Sequence, residues 1–141
     1  MHKVNGGCHC GNLLVELELT KVPSAYFPRA CDCDFCRKHG ASYVSDPQGS
    51  LIIRIKDEHE SRHYRQGSGA ADCLLCQNCG VLVAVLYRSA GPVYGAVNAR
   101  VLDVLAKFGE AVPVSPQTLS DHAKVQRWQE IWFPNVSVVG V

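Results

Sequence analysis

Eight cysteines in 141 residues fall into groups whose spacing suits metal ligation better than disulfide pairing. The tightest is Cys31-Asp32-Cys33-Asp34-Phe35-Cys36, followed at once by Arg37, Lys38, His39 and Gly40. Three thiols in six residues cannot all pair with one another, and Cys31 and Cys33 are too near in sequence to bridge without strain. On a bend in the chain, three thiolates can instead converge on one Zn²⁺ at about 2.3 Å, since a d¹⁰ ion imposes no geometry of its own. Three protein ligands with one open position is the usual arrangement of a catalytic zinc, whereas structural zincs are normally closed by four.

Two further motifs supply such a closed site. Gly6-Gly7-Cys8-His9-Cys10-Gly11 is a C-x-C flanked by glycines that allow a tight turn. Cys76-Gln77-Asn78-Cys79-Gly80 is a zinc knuckle, two thiolates on one turn with a glycine where the backbone needs φ > 0. Neither pair closes a tetrahedron; Cys8, Cys10, Cys76 and Cys79 together would, clamping an N-terminal strand to a distant sheet, the other reading being free buried thiols. Cys73 is left over, readable as a small buried strand residue or as a fourth ligand or redox partner for the central triad.

Near the triad, Arg37 and Lys38 are either a solvated turn or cations facing a carboxylate, and His39 is either a plain loop residue or a hydrogen-bond donor to the site. Arg100 is a candidate carboxylate clamp, because a guanidinium binds carboxylates bidentately. His9, between two ligands, is expected to point outward. Trp128 and Trp132 read as packing residues of a helix rather than a substrate platform.

The elements that position these groups are mainly strands. Leu13, Val15, Leu17 and Leu19 alternate with Leu14, Glu16 and Glu18, the period of a half-buried strand. Pro23 and Pro28 bracket an expected extended piece over residues 25–27 that leads into the triad. Short strands are expected over 41–45, 51–55 and 94–97, an edge strand over 60–65, and a buried strand over 81–87, with turns at Asp46-Pro47-Gln48-Gly49 and Gly67-Ser68-Gly69. The spacing of Ala123, Val125, Trp128, Ile131 and Trp132 predicts a helix from Ser120 to the stop at Pro134.

Hydrophobic content of 47% with 19% charged residues is that of a globular chain, and its length is that of one domain, 1–141. No apolar run is long enough to span a membrane, and the first residues lack the apolar core of a secretory signal, so the expected compartment is the reducing cytoplasm. A net charge of +1, with 14 basic residues scattered along the chain, argues against a nucleic-acid partner, which calls for clustered cations.

In order and spacing, Gly7-x-Cys8-x-Cys10-Gly11, Cys31-x-Cys33-x-x-Cys36 and Cys76-x-x-Cys79-Gly80 resemble the glutathione-dependent formaldehyde-activating enzymes (the Gfa family) and, more distantly, the centromere protein V group. The resemblance spans roughly residues 4–103, with a weaker match at Asn98-Ala99-Arg100-Val101-Leu102-Asp103 and a separate helical tail over about 115–134. It implies an Mss4-like fold, a mainly β structure of small antiparallel sheets held by zinc with a short C-terminal helix. It also implies two zinc ions per chain, a structural one on Cys8, Cys10, Cys76 and Cys79 and a labile catalytic one on Cys31, Cys33 and Cys36. The implied activity is that of a carbon–sulfur lyase joining glutathione and formaldehyde as S-(hydroxymethyl)glutathione. Leu75, where an aromatic residue is common, the extra Cys73 and the tail depart from the family pattern.

An open three-thiolate zinc suits that chemistry. Three anionic ligands on a dication leave net charge −1, which weakens Lewis acidity and favours holding a reactive substrate thiolate over polarising an aldehyde. The competing reading is a non-catalytic zinc-stabilised module that acts through a protein partner, since fold does not fix function.

Overall fold

The computed structural model describes residues 1–140. Its strands are β1 (His2–Gly7), β2 (Leu13–Leu19), β3 (Arg29–Cys31), β4 (Tyr43–Val44), β5 (Ser50–Ile55), β6 (Ser61–Tyr64), β7 (Ala71–Cys76), β8 (Leu82–Arg88), β9 (Val93–Asn98), β10 (Val112–Val114) and β11 (Ser137–Gly140). Two α-helices accompany them, α1 (Asp34–His39) and α2 (Asp121–Ile131). The protein is mainly β, as expected of the Mss4-like class.

The strands form two sheets, a four-stranded one in the order β1-β2-β5-β11 and a seven-stranded one in the order β10-β3-β4-β9-β8-β7-β6. Both are mixed rather than purely antiparallel: β10 runs parallel to β3, and β11 parallel to β5. Each parallel strand lies at a sheet edge and comes from the C-terminal part of the chain, whose short apolar runs carry no pairing signal of their own.

In β2, Leu13, Val15, Leu17 and Leu19 are buried and the residues between them are half-exposed, so one face of the small sheet is core, as its alternation predicts. The large sheet is covered on both faces. Along β7, β8 and β9, Leu74, Leu86 and Val97 pack against the small sheet, while their neighbours Cys73, Val85 and Ala96 pack against α2 and the cysteine loop. That double burial explains why β8 is apolar at nearly every position.

Differences from the sequence reading arise where tertiary contacts decide local structure. The extended piece expected over 25–27 starts later than its first residue: Pro23–Ala25 is a 3-10 turn, and Tyr26 just beyond it is extended. The triad sits on a short helix rather than a plain bend: Cys33 caps α1 by accepting from Cys36 N at 3.4 Å, and Gly40 ends it at φ +61. Past α2, Phe133 is fully buried and exchanges both backbone hydrogen bonds with Gly95 at 3.0 and 2.9 Å. A Cβ at Gly95 would sit 2.8 Å from Leu86 Cδ2 on β8 and 3.2 Å from Val136 Cγ2 of the tail, so a glycine here leaves room for the tail to pack closely. The chain then crosses to the small sheet as β11.

Asp46, 4% exposed, ties the expected turn to β2 and to the 3-10 turn. It accepts from Thr20 N (2.9 Å), Thr20 Oγ1 (2.7 Å), Tyr26 OH (2.6 Å) and Gln48 N (2.9 Å). Burial alone would raise its pKa, but the hydrogen bonds from Thr20 and Tyr26 hold it at about 2. Because the folded value lies below the unfolded value of about 3.9, the carboxylate stabilises the fold fully above about pH 4, and the contribution is lost as pH falls to 2. Asp46→Asn is therefore expected to cost about 2 kcal/mol at pH 7, with the difference from the parent protein shrinking between pH 4 and pH 2 in urea unfolding.

Candidate metal centre and cleft

Two groups of cysteines bring their sulfurs together. Cys8, Cys10, Cys76 and Cys79 lie with all four Sγ within 4.8 Å of one another, and so do the three of Cys31, Cys33 and Cys36. Both groupings coincide with the sets expected from spacing.

In the first, the turn between β1 and β2 carries the C-x-C and the turn after β7 carries the C-x-x-C. Gly11 at φ +84 and Gly80 at φ +81 adopt the left-handed backbone that closes each turn. Leu13 N donates to Cys8 Sγ at 3.2 Å and Cys79 N to Cys76 Sγ at 3.4 Å, so backbone amides face the sulfurs. Sulfur separations of 3.7 Å (Cys8–Cys10) and 3.5 Å (Cys10–Cys76) match the roughly 3.8 Å edge of a tetrahedron with 2.3 Å metal–sulfur bonds. Cys10 is lowered to about 6, mainly by the Asn78 side chain and also by Asn12, while burial pushes Cys76 up to about 12. The donor set fits a closed tetrahedral site for a thiophilic ion.

The second group opens onto a cleft of about 340 Å³. Cys31 ends β3, Cys33 caps α1 and Cys36 lies one turn inside it, so a strand end and a helix start deliver three sulfurs to one point. Tyr43 OH is 3.1 Å from Cys36 Sγ, and Gln66 Nε2 donates to Cys33 Sγ at 3.5 Å. Cys31 is lowered to about 6, chiefly by a hydrogen bond from Cys36, whose own pKa is pushed well up by that bond and by burial. Burial also drives the Tyr43 hydroxyl far above its ordinary range, so it stays a proton donor. Asp32, beside the triad, accepts from Ser115 Oγ and from Gln117 Nε2 at 3.1 Å, which fixes the loop to residues 115–117. Three thiols at the mouth of a cleft fit an ion with a free coordination position.

Cys73 is buried on β7, as a strand cysteine should be, yet the face it occupies is the cleft wall. It lies outside the three-sulfur group, and burial, with Cys33 nearby, pushes it up to about 12. Arg37, His39 and Arg100 are exposed and lie outside the cleft lining. Arg37 pairs with Asp34 at 3.2 Å, His39 packs against Phe35 at 4.6 Å between ring centroids, and Arg100 Nε donates to Gly40 O at 2.5 Å, closing the end of α1. The run Arg37-Lys38-His39-Gly40 is thus a helix C-terminus, cations over the last turn and glycine after it, a signal the sequence carried. Facing the cysteines instead are Arg29, Gln66, Lys124, Arg127, Trp128 and Trp132. The two tryptophans are buried and stacked at 4.9 Å, so they pack the core and form a cleft wall at once.

The sequence profile of the glutathione-dependent formaldehyde-activating enzymes matches residues 3–132. The chain belongs to that family. Its match runs past residue 103 and takes in α2, so the helix that walls the cleft is part of the shared region. A crystal structure of a Rhodobacter sphaeroides protein, a structural-genomics target, resembles this family member with a TM-score of 0.59 at 26% identity, over 78% of this chain and 99% of that one. Among curated proteins there is no match.

Metal analysis of the purified protein is expected to give two zinc ions per chain. Cys36→Ser should lose one and keep its circular dichroism spectrum, whereas Cys76→Ser should lose the other together with cooperative unfolding.

Proposed function

We propose that this family member is a zinc-dependent enzyme joining a small-molecule thiol, glutathione foremost, to formaldehyde. The observation that carries the reading is the contrast between the two cysteine groups: four sulfurs closed on themselves between the sheets, three sulfurs presented to a cleft. In this reading Cys8, Cys10, Cys76 and Cys79 hold a structural zinc and Cys31, Cys33 and Cys36 a catalytic one. When bound, the catalytic ion supplies a position at which a substrate thiol is held as its thiolate at neutral pH.

The chain's own residues then set the reaction. Tyr43 OH and Gln66 Nε2 donate to the ligand sulfurs and moderate the excess negative charge of three thiolates. Trp128 and Trp132 keep water from one wall, which strengthens electrostatic contacts inside the cleft. In the forward direction the substrate sulfur pair forms a bond to the formaldehyde carbon, the carbonyl π pair moves to oxygen, and that oxygen takes up the proton the thiol released as it became a thiolate, giving the S-hydroxymethyl thioether. The reverse is a carbon–sulfur lyase step. No helix among the described residues is long and apolar enough to cross a membrane.

Equilibration of formaldehyde, glutathione and the adduct should run well above the uncatalysed rate with the parent protein. Cys33→Ser and Cys36→Ser should fall at least a hundredfold in that excess rate while one zinc per chain remains, about the loss seen when a group acting only in the transition state is removed. A parent protein no faster than buffer would leave the binding-module reading in possession of the fold.

A further inference from the structure

One side of the cleft carries a charge pattern that the cysteine chemistry does not use. Arg29 and Cys31 are two residues apart on β3 and so share a face of the strand, with Tyr43 paired directly opposite Arg29 on β4. A two-residue step along a strand is about 7 Å. From the other side, Lys124, Arg127 and Trp128 stand three and four residues apart on α2, the spacing of one helix face, and all three line the cleft.

The Arg29 guanidinium is held in place, since it donates to Ser45 Oγ at 2.6 Å and Ser45 in turn donates to Ile131 O at 2.7 Å. Among the described residues no carboxylate forms an ion pair with Arg29, Lys124 or Arg127. The one acidic residue of the lining, Asp34, is paired with Arg37. Burial and the neighbouring Arg127 lower Arg29 to about 10, which still leaves it charged at neutral pH. Arg29 and Arg127 are both half-buried on the wall of one cleft and neither is paired with an acid, so they repel one another and an anion between them would relieve that cost.

We propose that Arg29 and Arg127, with Lys124 beside them, form a carboxylate-binding subsite that selects thiols bearing a carboxylate about one residue away from the sulfur. This rests on the thiol–aldehyde reading of the cleft and adds the substrate class. An extended peptide advances about 3.3–3.6 Å per residue. Counting the side chain that carries the sulfur, the carboxylate of the next residue lies about 7 Å from it when extended, which matches the two-position step along β3 from Cys31 back to Arg29. Guanidinium forks donate bidentately to a carboxylate, and the Trp128 and Trp132 wall keeps the pair partly dry.

The test is calorimetric titration of the zinc-loaded protein with S-methylglutathione, which has no free thiol, and with its diethyl ester, in which both carboxylates are neutralised. The parent protein should bind the acid about 10- to 100-fold more tightly than the ester, the range of one or two charge-assisted hydrogen bonds. Arg127→Gln should erase most of that preference with an unchanged circular dichroism spectrum; it avoids Arg29, whose bond to Ser45 makes its loss a folding risk. Equal affinity for acid and ester, no binding of the acid, or a preference that survives both Arg127→Gln and Lys124→Gln overturns the subsite. Rates of adduct formation separate the two readings. An Arg127-dependent preference in a protein that does not accelerate the thiol–aldehyde reaction upholds the subsite and removes the reaction. Equal acceleration with glutathione and its diethyl ester keeps the reaction and removes the subsite.

Discussion

Four sulfur atoms from two turns, one in each sheet, meet within 4.8 Å of one another, and most of the architecture follows from that meeting. The Cys8 and Cys10 turn belongs to the β1–β2 hairpin of the small sheet, and Cys76 and Cys79 follow β7 of the large one. Cys8 and Cys76 are also members of the apolar cluster between the sheets, so the same residues supply core packing and ligand atoms. Thiolates so close would repel one another unless a cation lay between them, and a cation there would fix how the sheets sit. With the sheets so fixed, the outer face of the large sheet becomes a rigid floor for the second site.

That floor is where chemistry and packing separate. The face of β7, β8 and β9 turned toward the small sheet contributes Leu74, Leu86 and Val97 to the apolar cluster between the sheets, while the opposite face presents Cys73, Val85 and Ala96 to the cleft and to α2. The triad rests at the edge of this face on a strand end and a six-residue helix, with Arg100 closing the helix and Asp32 fastened to residues 115–117. Each of these contacts comes from far along the chain. The three sulfurs are therefore held by the whole fold rather than by their own loop, which suits a site that must keep its geometry while a ligand enters and leaves.

Much of this was legible in residue types and spacing. The alternation of Leu13 to Leu19, the unbroken apolar run of β8, the helix ahead of Pro134 and the division of seven cysteines into a four and a three all stand in the structure as their patterns imply. What escaped has physical reasons. A helix of six residues has too few turns to show a period, so α1 was hidden although Gly40 and the cations before it mark its end. Strands β10 and β11 are three and four residues long and are stabilised only by partners elsewhere in the chain.

Sequence by itself determined the ligand chemistry, because metal ligation depends on residue type and local spacing, and C-x-C, C-x-C-x-x-C and C-x-x-C-G carry both within a few residues. It also determined which strands have a buried face, since period two is a local property. Only the tertiary structure decided which cations face the thiols. Arg37 and Lys38 follow the triad directly but lie over a helix end, while Lys124 and Arg127 reach the cleft through the docking of α2 against the sheet; Arg29 alone, two residues from Cys31 on β3, has a local spacing to the thiols. Charge placement in a cleft is set by long-range packing, and long-range packing has no local spacing from which it can be read.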